Sequence, residues 1–229
     1  SALAMANTIF GSGVTVTSAS YTGDNRSSAI YSNGDALSPD ATPGDTGVIL
    51  STGRADRFTQ SNGDPKRSGS TSTNTSGVNN DSDFNAAAGA STYDASFLGV
   101  DFTSATAGFM TMQFVFSSEE YPEYVNSLYQ DMVGVWINGS QVDLSIGNGD
   151  ADPGNINSGD NGNLFINNTN DDYNTEMDGF TVTMSMKIPI NAGTNSIKIG
   201  VADVTDSSYD SNLLIAAGSI QSALLANDD

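Results

Sequence analysis

The sequence predicts an all-β fold, an antiparallel β-sandwich of jelly-roll type with long polar loops and at most short helices. Residues 180–190 carry apolar side chains at every second position, the period of a strand with one buried face. Roughly nine such short runs are separated by turn-rich segments, and no long stretch has helical periodicity. The predicted strands cover residues 14–21, 48–50, 96–102, 109–116, 131–138, 141–146, 180–190, 197–201 and 213–217.

The remaining segments place short elements and long loops around these strands. Residues 2–10 are expected to form a short helix, and Asn138-Gly139 is a hairpin signal that follows a strand carrying Trp136, an expected core residue. Residues 54–85 and 147–175 have almost no apolar periodicity and are predicted to be long polar loops. We expect one ligand-binding sandwich domain over residues 1–222, then a polar tail or linker to a neighbouring module over residues 223–229.

Charge and missing residue types exclude several kinds of function. The chain has 229 residues, with 27 acidic and 7 basic side chains and a formal net charge of −20. Nucleic acid and anionic membrane surfaces are therefore poor partners. Cys and His are both absent, which excludes disulfides, thiol nucleophiles, His-based triads and zinc sites of the usual kind. The oxygen ligands that remain suit Ca²⁺ or Mg²⁺, and no apolar run is long enough to span a membrane.

Asp203, Asp206 and Asp210 form the strongest candidate metal site. They follow the predicted strand at 197–201 at spacings of three and four residues, so a turning loop could bring their oxygens together around one Ca²⁺. The alternative is that each Asp caps its own turn.

Glu119, Glu120 and Asp178 are the other candidate metal ligands. Adjacent residues of an extended chain point to opposite faces, so Glu119 and Glu120 are unsuited to a glycosidase dyad. We therefore expect no enzymatic activity. One of the two glutamates is expected to face a cation and the other an amide or Arg, whereas Asp178 either completes a site or only forms a turn.

Two polar segments leave alternatives open. The loop at 147–175 contains Asp150, Asp152, Asp160, Asp171 and Asp172, but it lacks EF-hand spacing and the nonapeptide repeat. It is either a second cation site or a flexible polar loop. The basic residues of the segment from Arg54 to Arg67 either bind a carboxylate or are ordinary loop residues.

Three stretches resemble the choice-of-anchor L domain family of bacterial surface proteins. They are residues 47–53 (GVILSTG), residues 114–124 (FVFSSEEYPEY), and residues 178–181 (DGFT) together with residues 202–211 (ADVTDSSYDS). The sequence is also similar to the Ca²⁺-dependent peptide-binding domains of large RTX adhesins. That resemblance implies capture of a partner's free C-terminus, with Ca²⁺ meeting its carboxylate.

The expected function is a Ca²⁺-dependent adhesion module on the bacterial cell surface or in the secreted fraction, monomeric in isolation and flanked by other adhesin domains. Its partner is expected to be a peptide or protein C-terminus. A carbohydrate-binding module that takes a glycan and a structural spacer stiffened by Ca²⁺ are the alternatives. The residues expected to contact the ligand are Tyr121, Tyr124, Asn126, Asp131, Tyr209 and Ser211.

Overall fold

A computed structural model, which describes residues 1–59 and 69–222, confirms the antiparallel sandwich. Its strands form a five-stranded and an eight-stranded sheet. The strands are β1 (Val14–Thr22), β2 (Ser28–Tyr31), β3 (Gly47–Ser51), β4 (Thr92–Ser104), β5 (Gly108–Ser118), β6 (Met132–Ile137), β7 (Ser140–Gln141), β8 (Phe165–Asn167), β9 (Gly179–Thr181), β10 (Met184–Ile190), β11 (Gly193–Val204), β12 (Ser211–Ala216) and β13 (Gln221–Ser222).

The five-stranded sheet has the order β1-β4-β11-β6-β7. Its two longest strands, β4 and β11, pair antiparallel with Val100 opposite Ile197. On the other side of β11, Ala202 pairs with Met132 of β6. This register carries Asp131, the residue before β6, toward Asp203 on β11.

The eight-stranded sheet has the order β2-β3-β12-β5-β9-β8, and β10 and β13 also pair with β5. Alternate residues of β5, from Met110 to Phe116, face the main core between the sheets. The residues between them include Val115, which packs with Leu214 in a second cluster on the outer face. The central strand β5 is therefore covered by apolar side chains on both faces.

The prediction of one continuous strand over residues 180–190 is wrong at its beginning. Ser117 pairs with Phe180, but Phe114 pairs with Met184, so this segment holds one residue more than β5 between the two pairs. An extra residue of this kind is a β-bulge, and it reverses the face on which side chains lie. Phe180 consequently packs in the outer cluster, whereas Met184 lies in the main core.

The helices match the prediction at the N-terminus and depart from it later. Helix α1 (Ala2–Ile9) confirms the short N-terminal helix. Helix α2 (Gly34–Leu37) is a single turn, and α3 (Ser82–Ala88) begins inside the predicted loop at 54–85 and extends beyond it. Asp81 caps α3 by accepting hydrogen bonds from two backbone N–H groups, and Gly89 ends it with φ +64°.

Other local predictions had mixed outcomes. Asn138 and Gly139 form the expected hairpin turn with φ values of 50° and 84°. Only Ser140 and Gln141 pair after it, so the strand predicted over residues 141–146 is too long. Trp136 is buried against Phe84, as expected for a core residue. The predicted tail at 223–229 lies outside the described residues.

Candidate functional site

Strand ends from both sheets meet at one end of the sandwich. Here β5 ends beside the start of β12 with Ser118 opposite Ser211, and β11 ends beside the start of β6. The polar cluster at this end is centred on three carboxylates, Glu120, Asp131 and Asp203, which are 1%, 0% and 1% exposed. Buried carboxylates are rare unless they are paired or bind a cation.

Asp131 joins the two sheets through hydrogen bonds. Its Oδ1 accepts from the backbone N–H of Val204 at 3.1 Å, and its Oδ2 accepts from the Ser211 hydroxyl at 2.6 Å. Ser211 Oγ also lies 2.7 Å from Ser118 Oγ. Burial is the largest cause that raises the pKa of Asp131 well above its ordinary value, and these hydrogen bonds oppose the rise.

Asp203 lies within hydrogen-bond reach of Asp131 and of Thr52, and the charge of Asp210 also acts on it. Its Oδ1 is buried and accepts no hydrogen bond from the described residues. Burial, followed by the charge of Asp131, raises the pKa of Asp203 well above its ordinary value. An Asp pair of this kind is stable only if it shares a proton or holds a cation.

Glu120 approaches the same cluster from the end of β5. Its backbone N–H donates to Ser118 Oγ at 2.9 Å, which fixes the turn. Its Oε2 is buried and has no hydrogen-bond partner among the described residues. Burial, and then the charges of Asp131, Asp206 and Glu123, raise the pKa of Glu120 to about 10.

No Lys or Arg among residues 1–59 and 69–222 forms an ion pair with any of these three carboxylates. The same residues contain no group of three or more acidic side chains already arranged around a metal position. A bound cation would therefore require the carboxylates to turn toward a common point. The predicted ligand set is not gathered into one group.

Asp206 and Asp210 accept hydrogen bonds from residues of two loops. Asp206 Oδ1 accepts from the backbone N–H of Ser208 at 3.0 Å, which is the Asx-turn alternative. Both Asp210 oxygens accept from Thr73, one from its N–H and one from its hydroxyl, each at 2.9 Å. Burial raises the pKa of Asp210 to about 6 despite these bonds. Both carboxylates fasten loops in this structure.

Glu119 and Asp178 lie beside the cluster, at the pairing of β5 with β9. Ser118 pairs with Gly179, so Glu119 and Asp178 come next in that register, and they are 0% and 2% exposed. Glu119 donates its backbone N–H to the Asp210 carbonyl at 3.1 Å. The Asp178 carbonyl accepts from Asn168 at 2.8 Å.

The expected ligand-contact tyrosines divide into one core residue and a surface group. Tyr121 is completely buried and donates its hydroxyl to the Ile156 carbonyl at 2.6 Å, so it cannot reach a surface ligand. Tyr124 packs edge-on against Tyr129 and Tyr209, with ring centroids 5.7 and 5.0 Å apart. A hydrogen bond that Tyr209 donates to Tyr124, with burial and nearby acidic groups, raises the pKa of Tyr209 to about 12.

These three tyrosines form the rim of the cluster, and Asn126 lies on the same loop as Tyr124. Asn126 is exposed with φ 59°, and its backbone N–H donates to Gln130 at 3.1 Å.

The structure also shows functional candidates that the sequence did not single out, Thr52 and Ser118. Both follow apolar strands, and hydroxyl residues at a strand end were the only signal that could have marked them.

The acid-rich loop that begins at residue 147 is organised by amide side chains. Asn155 Nδ2 donates to the carbonyls of Ile146 and Asp150 at 3.0 and 2.8 Å. Its Oδ1 accepts from the backbone N–H of Asn148 at 3.2 Å. Asp152 Oδ1 accepts from the Asn155 backbone N–H at 3.0 Å. These bonds give this part of the loop a defined shape without a cation.

The two arginines with described ion pairs, Arg26 and Arg54, are engaged by neighbouring residues in the sequence. Arg54 pairs with Asp56 at 2.6 Å, and Arg26 pairs with Asp24 at 2.8 Å. Lys66 and Arg67, the other end of the basic segment, lie outside the described residues.

A two-sheet sandwich that presents polar loops at one end is the architecture of a binding or anchoring module. The sequence model of the choice-of-anchor L domain matches residues 2–221, and the chain therefore belongs to this family. Membership indicates a bacterial surface or secreted protein. No curated protein matches the chain. Among the described residues, no helix combines the length and apolar character needed to cross a bilayer.

Three solved structures with some likeness are family 35 carbohydrate-binding modules. One from an environmental isolate is 20% identical, with 57% of this chain and 75% of the module covered and a TM-score of 0.27. One from Paenibacillus barcinonensis is 14% identical, with 86% and 98% covered and a TM-score of 0.26. One from Clostridium thermocellum is 12% identical, with 83% and 99% covered and a TM-score of 0.25. At these scores the likeness carries no inference about ligand.

Proposed function

We propose that this domain is a Ca²⁺-dependent ligand-binding module that captures the C-terminal carboxylate of an extracellular peptide or protein. One observation carries the proposal. Glu120, Asp131 and Asp203 are buried together, and Glu120 Oε2 and Asp203 Oδ1 accept no hydrogen bond within the described residues.

Burial of adjacent carboxylates needs compensation. An unpaired buried charge costs several kcal/mol, so the cluster must hold protons or a cation. A divalent ion meets this need near neutral pH, and the net charge of −20 raises the local concentration of cations. Oxygen ligands of this kind suit Ca²⁺ better than a transition metal.

The cluster alone does not fill a calcium coordination shell. Ca²⁺ takes about six to eight oxygens. Glu120, Asp131 and Asp203 supply carboxylates, and Thr52 supplies a nearby hydroxyl. Positions would remain for water or for the carboxylate of a ligand, which would link peptide affinity directly to metal occupancy.

The tyrosine rim supports a peptide as the ligand. Tyr124, Tyr129 and Tyr209 present flat rings and hydroxyl groups beside the cluster, and Tyr129 is 37% exposed. Tyrosine provides large contact area at a small conformational entropy cost, which suits recognition of an extended chain.

The test is capture of an immobilised peptide library in which each sequence occurs with a free and with an amidated C-terminus. In Ca²⁺ we expect binding to free-acid peptides, with loss of binding to their amidated twins and in chelator. Asp203→Asn should abolish capture, whereas the matched control Asp101→Asn should retain it, because Asp101 is an exposed carboxylate on β4 that pairs with Ser196, away from the cluster.

Two results would contradict this function. Equal capture of free and amidated peptides would exclude the carboxylate contact. Equal capture in Ca²⁺ and in chelator would exclude the metal. Binding of neutral glycans on an array, without peptide capture, would favour a carbohydrate-binding module instead.

A further inference from the structure

A groove of 360 Å³ opens beside the carboxylate cluster. One wall is the end of α3 and the residues after it, Ala87–Ala90. A second wall is the loop at 126–132, and the third is the segment at 148–154. Val204 and Thr205, which directly follow Asp203, also line it. The groove and the cluster therefore share the end of β11, but the groove lies on the face of the strand where Val204 packs with Met132, and Asp203 faces the other way.

The groove is lined by both acidic and apolar side chains. Asp150 and Asp152 line it, and no described Lys or Arg forms an ion pair with either. Burial, followed by the charge of Asp143, raises the pKa of Asp150. Burial also raises the pKa of Asp152 to about 6. Ala87, Ala90 and Met132 add methyl and thioether surface to its lining.

The walls are held in place by their own hydrogen bonds. Gln130 Nε2 donates to the Ser127 carbonyl at 3.0 Å, and its Oε1 accepts from Asn126. Thr205 Oγ1 donates to the Leu128 carbonyl at 2.6 Å, which fastens this loop to the end of β11. Gly154 packs so closely on Gln130 that an added Cβ would lie 2.3 Å from Oε1. A groove that is already ordered binds with little further entropy cost.

We propose that this groove is a subsite for a basic side chain, Lys or Arg, of the captured peptide. The statement that this side chain belongs to a captured peptide rests on the proposed function. The carboxylates of Asp150 and Asp152 attract the cationic group, which can form charge-assisted hydrogen bonds with them. The aliphatic stem of the side chain lies along Ala87, Ala90 and Met132, in the manner of long basic side chains on apolar surface.

The first test uses a probe without a free carboxylate, so that it does not depend on the cation cluster. N-acetyl-arginine amide is titrated into the whole chain and followed by backbone NMR. The neutral isostere N-acetyl-citrulline amide is titrated in parallel. We expect saturable shifts at Ala87–Ala90, Gln130 and Asp150 with arginine, and shifts at least about tenfold weaker with citrulline.

Variants separate local contact from general charge. The double variant Asp150→Asn with Asp152→Asn keeps side-chain shape and should lose arginine binding by about tenfold or more. Asp143→Asn removes one charge nearby without lining the groove and should retain binding. Equal binding of arginine and citrulline, unchanged binding by the double variant, or shifts scattered over the surface would each overturn the proposal.

The two proposals fail in different ways. Arginine binding that persists while free-acid peptides ignore Ca²⁺ contradicts the proposed function and keeps the subsite. Calcium-dependent capture of free-acid peptides without any preference for a basic residue contradicts the subsite and keeps the proposed function. A library in which one position is varied among Arg, Gln and Met reads out this second case.

Discussion

The loop around Asn155 and the cluster at Asp131 and Asp203 are both acidic, but they differ in whether their buried polar groups have hydrogen-bond partners. In the loop, Asn155 satisfies carbonyl and N–H groups on both sides and Asp152 accepts from its backbone. In the cluster, buried carboxylate oxygens on Glu120 and Asp203 accept no hydrogen bond from the described residues. Acidic composition alone therefore does not indicate a cation site, and we expect a cation where buried carboxylate oxygens lack hydrogen bonds.

The largest effect is expected on the loop side of this comparison. Asn155→Ala removes buried donors and an acceptor and leaves the Ile146 and Asp150 carbonyls without their bonds. The free energy of unfolding should fall by about 3 kcal/mol. Urea unfolding should give the same loss in Ca²⁺ and in chelator. A loss that appears only in chelator would mean that this loop holds a cation after all.

The cluster should behave in the opposite way. Asp203→Asn keeps the side-chain shape and removes one buried negative charge, so in chelator the variant should be as stable as the wild type or more stable by about 1 kcal/mol. When the Ca²⁺ concentration is a hundred times the dissociation constant, Ca²⁺ should raise the free energy of unfolding of the wild type by about 3 kcal/mol. Asp203→Asn should lack this stabilisation entirely.

Asp101→Asn is the matched control for this experiment, since it removes the same charge from an exposed side chain on β4, away from the cluster. Thermal unfolding of both variants with and without Ca²⁺ provides the measurement. An Asp203→Asn protein that is still stabilised by Ca²⁺ would show that the ion binds elsewhere.

The smallest expected effect is a change in the pH dependence of stability, and it tests the burial of Asp152 in the loop. Burial raises the pKa of Asp152 from 3.8 to about 6 in the folded chain. The unfolded chain then loses its proton first as pH rises, so the contribution of Asp152 to stability is fullest below pH 3.8 and declines up to about pH 6.

Asp152→Asn can still accept from Asn155 and should remove this decline. In chelator, the stability of the variant relative to the wild type should therefore increase between about pH 4 and pH 7, by about 2 kcal/mol. Urea unfolding at both pH values measures it, and Asp143→Asn, an exposed carboxylate, is the control. A pH-independent difference between variant and wild type would contradict the burial of Asp152.

The sandwich was predictable because alternation of apolar residues is a local property. The strands around Met112 and Ile199 follow directly from it. Helix α3 was missed because its apolar face is short, although Asp81 before it and Gly89 after it are N-terminal and C-terminal helix signals. The bulge that turns Phe180 outward depends on pairing with β5, which the segment itself does not encode.

The candidate site was only partly predictable for a similar reason. Glu120 and Asp203 were recognised as candidate metal ligands from acidic residues that follow strands. The sequence predicts Asp131 as a ligand contact and not as a metal ligand. Its proximity to Asp203 arises from the pairing of β6 with β11, two strands that are far apart in the sequence. Asp210, which the sequence also predicts as a metal ligand, accepts hydrogen bonds on both of its oxygens from Thr73, a contact across 137 residues that the loop sequence does not indicate.

Calcium titration of the wild-type chain by calorimetry, combined with thermal unfolding in Ca²⁺ and in excess chelator, tests the central claim most directly. Burial of Glu120, Asp131 and Asp203 predicts saturable Ca²⁺ binding and a higher melting temperature in Ca²⁺, both of which are lost in Asp203→Asn. Identical melting temperatures in Ca²⁺ and chelator, with no heat of binding, would contradict it and leave shared protons as the compensation for these buried carboxylates.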